Sequence, residues 1–285
     1  MGKRRDSASS GNGDDRHLRY WGLVEPPFLL DPDPRFAFGR DDHREGLARL
    51  LFGITQVGGL VLITGEVGAG KTLLAQTIAG ALDSEGIRVG VVANPPRTAA
   101  ALLGEALGAI GAESAGGSAA RRAERIRARL SMAHTQGRRI VLVVDEAQRL
   151  DPRALDELRM LTNSAHGVPG MPIVLMGQPE LAPLVDRQPQ VDQRVVVRYH
   201  LGPMDAEEVD AYVRHRTRVA GCDRRIVSKR ATRAVHAETG GLPRPVNMLL
   251  ANALYVAAER GEDQVSEDTI RDLAEDRRAM GGGTA

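Results

Sequence analysis

The stretch LVLITGEVGAGKTLLAQTIAGAL, residues 60–82, constrains the fold more than any other part of the chain. Leu60 to Thr64, four apolar residues and a threonine, read as a strand, and Thr72 to Leu82 read as an amphipathic helix. The glycine-rich turn between them has nothing to gain from hydrophobic burial, because glycine has no side chain to pack and weakens regular structure. What glycine offers is access to the backbone. The spacing G-x-x-x-x-G-K-[ST] is met by Gly65, Gly70, Lys71 and Thr72, with a strand before and a helix after, as that motif requires. Over Gly65, Glu66, Val67, Gly68, Ala69, Gly70, Lys71, Thr72 and Leu73, successive N–H groups can curl around a di- or triphosphate. The helix N-terminus and Lys71 add positive charge, and Thr72 is placed to hold magnesium. The bland alternative is a glycine-rich turn with no ligand; the full spacing and both flanks argue for nucleotide binding.

Further along, apolar runs alternate with helical patterns, the signature of a parallel sheet with crossover helices. Strands are expected at Leu60–Thr64, Ile87–Ala93, Ile140–Val144, Ile173–Gly177 and Val195–His200. After Met204 strand signals stop, and four segments with Asp or Ser starts and glycine stops read as helices. The reading is therefore an α/β domain over 18–203, including a leading segment rich in proline and aromatics, then a helical lid over 204–278. Tails at 1–17 and 279–285 are expected to be flexible, as is the link GAESAGGSAA between two helices.

The 285 residues carry 38 Lys and Arg against 37 Asp and Glu, so no global charge selects nucleic acid, membrane or an acidic substrate, and partners must be argued locally. The single cysteine, Cys222, excludes an intrachain disulfide framework and a multi-cysteine metal site and reads as a small buried residue. No apolar run is long enough for a membrane span, and the N-terminus lacks the apolar core of a signal peptide, so a cytoplasmic location without membrane insertion is expected.

The third strand carries a second chemical signal. In IVLVVDEAQRL, Asp145 and Glu146 follow a wholly apolar strand, at the carboxyl end where open α/β sheets bind ligands. Adjacent carboxylates there are costly unless used. Asp145 is expected to hold Mg2+, directly or through water, and Glu146 to activate the water that attacks the γ-phosphate. Taken alone, the pair could be a strand ending in a helix cap.

Together the blocks YWGLVEPPFLLDPDPRFAF, HREGLARLLFGI, LITGEVGAGKT, NPPRTAAALLGEALGAIG, VDEAQRLDPRALDELRMLTN, IVLMGQPELAPLV, QRVVVRYHLGPM and TGGLPRPVN resemble the AAA+ ATPases of the ExeA type, the general secretion pathway protein A family. The resemblance spans about residues 20–275 and implies a P-loop AAA+ αβα sandwich with a helical lid. Secretion members of that family carry a membrane span and a peptidoglycan-binding segment after the ATPase. Neither is legible in this sequence, so the resemblance covers the ATPase module. The same module is similar to transposition ATPases of the MuB and TniB kind.

The resemblance also implies site roles. Gln178 would sense the γ-phosphate or the attacking water; otherwise it is a turn residue before Pro179. Arg194 would be the arginine finger given to a neighbouring subunit, with Arg187 and Arg198 as competitors and a surface ion pair as the plain alternative. Arg244 would be a second sensor from the lid, or a solvated helix-start arginine. Phe36 or Phe38 could cover an adenine, or simply pack. A homo-oligomer, ring or filament, with shared active sites is implied. So is ATP hydrolysis that drives assembly or remodelling of a partner protein complex; the alternative is an ATP-dependent DNA-binding regulator of a transposase. For DNA the candidates are Arg97 and the cluster Arg121, Arg122, Arg125, Arg127 and Arg129, whose ordinary reading is the solvated side of an amphipathic helix.

Overall fold

The computed structural model of the chain describes residues 16–39, 41–113 and 116–281. Gly39–Gly202 form one compact unit, and the residues up to Phe38 join those from Pro203 onward in a second.

The first unit is built on five parallel strands, β1 (Leu60–Gly65), β2 (Ile87–Val92), β3 (Arg139–Val144), β4 (Ile173–Gly177) and β5 (Val195–Leu201), in the order β2-β3-β4-β1-β5. All five strands read from the sequence are present. The three inner strands are the continuous apolar runs, because both faces of an inner parallel strand are covered by helices. Every residue of β1 and β4 is buried, whereas edge strand β5 alternates between half-buried and exposed positions. The pleat sends alternate residues to opposite layers. Leu60 and Leu62 join the core that contains helices Ala99–Ala109, Ala119–Thr135 and Pro152–Leu161, while Val61 and Ile63 join the core with helices Asp41–Phe52 and Lys71–Ser84. Truncating a side chain as buried as Ile63 would cost about 2–5 kcal/mol.

The second unit packs helices Ala206–Val219, Lys229–Thr239, Pro243–Glu259 and Glu267–Gly281 around one core. Their starts follow the sequence signals. Asp205 and Glu208 form a reciprocal capping box, and Ser228 accepts from the Ala231 N–H, each cap contributing about 1 kcal/mol. Gly240, left-handed at φ +60°, ends the second of these helices.

Two expectations are corrected here. The leading segment was attached to the α/β domain but packs with the C-terminal helices. Trp21 is 1% exposed and donates its indole N–H to Leu254 O at 2.8 Å. Asn247 Nδ2 donates to Leu29 O and Arg216 Nε donates to Pro27 O. Phe36 is buried under the Arg216 guanidinium, 4.7 Å from ring centroid to Cζ, and Phe38 packs against Tyr212 and His215. The plain packing role therefore accounts for both phenylalanines. Second, the tails are shorter than expected: Arg16–Trp21 is helical and the last helix runs to Gly281. The rest of the expected tails, and residues 114–115 of the expected link, lie outside the described residues. Cys222 is buried against the Trp21 carbonyl, Sγ to O 3.2 Å. Among the described residues no helix is long and apolar enough to cross a membrane.

Candidate active site

Parallel strands bring their carboxyl ends to one edge, so residues far apart in sequence meet there. With β1 beside β4 and β4 beside β3, the turn after β1, the Asp145–Glu146 pair after β3 and Gln178 after β4 line up along that edge. Neighbouring strands lie about 4.8 Å apart, which sets the span from the turn to the acidic pair at about 10 Å.

Gly65 closes β1 where a Cβ would stand 2.8 Å from Leu201 O, so a larger residue would force β5 away. Gly70, at φ +103°, turns the chain into helix Lys71–Ser84 and gives it no side-chain cap. The first-turn N–H groups, those of Lys71, Thr72 and Leu73, thus receive no side-chain cap, as at phosphate-binding helix starts. Lys71, 7% exposed, folds back across the loop and donates to Gly65 O at 2.7 Å and Glu66 O at 3.0 Å. Burial pulls its pKa below the ordinary lysine value, against the opposing pull of Glu146, Asp145, Glu66 and Glu180. Four carboxylates near one buried ammonium make it the positive centre of the site.

Burial pushes the Asp145 pKa up; the Glu146 N–H, donated to Oδ1 at 2.8 Å, opposes this, the Glu146 charge adds to it, and Lys71 opposes it. Glu146 is left-handed, φ +51° and ψ 33°, a conformation that costs a non-glycine residue about 1 kcal/mol or more and that clusters at functional sites. Its carboxylate Oε2 accepts from Gln148 Nε2 at 2.8 Å, and Gln148 Oε1 accepts from the Gln178 N–H at 3.2 Å. The reading of the sequence gave Gln148 no role; its only signal was the fourth letter of the block DEAQ.

A hydroxyl, Thr72, and a carboxylate, Asp145, are hard oxygen donors. Among the described residues no group of three or more His, Cys, Asp or Glu forms a metal cage. That donor set suits magnesium, which uses one or two protein oxygens and completes its octahedron with phosphates and water.

Within the sheet-bearing unit, Arg194 lies away from this edge. Arg194 is exposed at the amino end of β5, its carbonyl accepting from Leu60 N at 2.8 Å. The run of β1 from Leu60 to Gly65 puts it about 17 Å from the phosphate turn of its own chain, so it cannot serve its own site. Its competitor Arg198 is held by Asp186 and Asp192. Arg187 is exposed, just past helix Leu181–Asp186. Arg244 is exposed in the first turn of helix Pro243–Glu259, within the helical unit.

The sheet order, the phosphate turn and the acidic strand end define a nucleotide-binding ATPase of the AAA+ class, a P-loop NTPase. A profile of the AAA domain matches residues 54–185. Within that class the chain is a homologue of general secretion pathway protein A from Aeromonas hydrophila, 37% identical over 259 residues. The match covers 89% of this chain and 47% of that protein, so the chain spans about half the length of the curated relative. Among solved structures, the Aeropyrum pernix ORC2 protein superposes with a TM-score of 0.67 at 20% identity, covering 88% of this chain and 71% of that one. Cdc6p from Pyrobaculum aerophilum gives 0.67 at 19%, covering 86% and 70%. Drosophila ORC, solved bound to DNA, gives 0.67 at 15%, covering 95% and 68%. At these identities the likeness is one of fold.

Proposed function

We propose that the chain hydrolyses ATP to ADP and phosphate with Mg2+, in a homo-oligomer whose active sites lie between subunits, and uses the cycle to assemble or remodel a partner protein complex. One observation carries the hydrolytic part: the buried ammonium of Lys71 and the carboxylates of Asp145 and Glu146 are brought to the same edge of the sheet, with Glu146 anchored by a hydrogen bond. The backbone N–H groups from Gly65 to Leu73 would cradle the phosphates, and Lys71 would exchange its two loop carbonyls for phosphate oxygens. Thr72 and Asp145 would hold Mg2+, which when bound draws charge from the phosphate oxygens. Glu146 takes a proton from the water as its oxygen attacks the γ-phosphorus; the bond from that phosphorus to the bridging oxygen breaks, and ADP carries the electron pair away. Gln178, at the end of β4, would contact the γ-phosphate or that water. Arg194, exposed and out of reach of its own site, would act on a neighbour's, and Arg244 would bring the helical unit to the nucleotide. The 37% identity to general secretion pathway protein A supports the reading of a role in a partner protein complex, and a cytoplasmic location is proposed with it.

Titration calorimetry and phosphate release test this reading. Wild-type protein should bind and hydrolyse ATP, and Glu146→Gln should bind it and release little phosphate. Hydrolysis undiminished in Glu146→Gln removes the assigned base.

The alternative, a DNA-bound regulator like transposition ATPases of the MuB and TniB kind, draws on the exposure of Arg97 and Arg121. The cluster is weaker than its sequence suggests: Ile126 and Leu130 bury one side of helix Ala119–Thr135, and Arg122 donates to the Ala100 carbonyl.

A further inference from the structure

Gln148 uses both ends of its side chain. The amide N–H grips the carboxylate of Glu146, two residues back, and the amide oxygen receives the backbone N–H of Gln178, thirty residues on and at the end of another strand. The space for this amide is provided by Gly177. A Cβ there would stand 2.5 Å from Gln148 Oε1 and 3.3 Å from its backbone N, yet Gly177 is not one of the positive-φ glycines. The backbone at 177 accepts any residue; glycine is demanded by the neighbouring amide, the nearest contact, and by Leu181 Cδ2 at 3.0 Å.

We propose that Gln148 is a positioning residue that fixes the Glu146 carboxylate and ties it to the end of β4, where Gln178 stands. It engages Oε2 and leaves Oε1 to accept the proton of the attacking water. Because one amide joins both strand ends, a displacement of Gln178 by a γ-phosphate is transmitted to the base without contact between the two residues. The inference rests on the reading of Glu146 as the general base.

The test uses the full chain. Gln148→Met keeps length and bulk and removes donor and acceptor together. It should bind ATP as the wild type does while kcat falls at least about tenfold, short of the full contribution of a general base, about 10² to 10⁴. Amide exchange at Gln178 should become faster, since its N–H loses its acceptor. Gly177→Ala approaches the same contact from the other side and should lower kcat in the same way. In a Gln148→Ala background the nearest of the three contacts on the added methyl is gone, so the double variant should lose clearly less than the product of the two single losses, whereas independent structural defects would multiply. Turnover per nucleotide-binding molecule equal to wild type in Gln148→Met, or losses that multiply, overturns the proposal. Wild-type protein that binds ATP without hydrolysing it overturns the base assignment itself, and Gln148's role with it.

Discussion

Replacing Lys71 with Met separates what this residue does for the fold from what it does for the ligand. Its ammonium makes two hydrogen bonds to loop carbonyls, at 2.7 and 3.0 Å. Bonds of a charged donor contribute about 1.5–3 kcal/mol each, roughly 3–6 kcal/mol together. Against them stands the removal of an ammonium from water, several kcal/mol for a buried ion, and burial is the largest influence on this lysine. The two effects nearly cancel, and Met fills the volume. Stability without ligand should therefore change by no more than about 1–2 kcal/mol, or a few degrees of Tm. Ligand is a different matter. At a concentration near 100 times Kd, binding stabilises the native state by about 2.7 kcal/mol, which raises the Tm of a unit this size by roughly 5–10 °C. A thermal melt with and without MgATP reads both quantities. Wild-type protein should show the shift, and Lys71→Met should melt near the wild-type temperature and show none. A full shift in the variant refutes the phosphate role; a collapse of the ligand-free protein refutes the cancellation.

Arg194→Ala should bind ATP and lose hydrolysis, since an arginine supplied in trans contributes about 10³ to 10⁵ in rate. Mixed with Glu146→Gln it should regain part of that activity at junctions that pair an intact Glu146 with an intact Arg194; a mixture that co-assembles and stays inactive rejects Arg194 and turns attention to Arg187. In the helical unit, Asp210 holds Arg225 through two bonds of 2.6 and 3.0 Å and accepts from Thr232, and the Arg225 bond leads the causes that lower its pKa. A lowered carboxylate contributes stability that is present above its unfolded pKa and lost as pH falls through the folded one. Asp210→Asn should thus cost about 1.5–3 kcal/mol near neutrality, with the gap to wild type closing from about pH 4 downward; denaturant curves showing a pH-independent gap would contradict this. For the DNA alternative, duplex binding by the ATP-bound protein should fall steeply with salt, and reversing the charge of Arg121 should flatten that slope; no DNA-dependent change in binding or ATPase rate removes it.

The sequence by itself determined the local chemistry. The apolar runs at 60–64, 140–144 and 173–177 read as buried strands, because each is short, rich in β-branched residues and bounded by turn signals. Gly70-Lys71-Thr72 could open only a helix with free N–H groups, and Asp205 and Ser228 fixed their helix starts through bonds to residues two or three places on. Each of these rests on neighbours along the chain. Only the tertiary structure decided which strands lie side by side, and with them that Gln178 stands near Glu146. The order β2-β3-β4-β1-β5 comes from how the helix layers cover both faces of the sheet, which no single segment encodes. Trp21, Pro27 and Phe36 read as part of the α/β domain because they precede its first strand; they went to the helical unit because Leu254 O, Arg216 and Asn247 were there to meet the segment. Gln148 was invisible for the same reason. A glutamine two residues after an acid looks like any polar turn residue until folding brings the N–H of residue 178 to its other end.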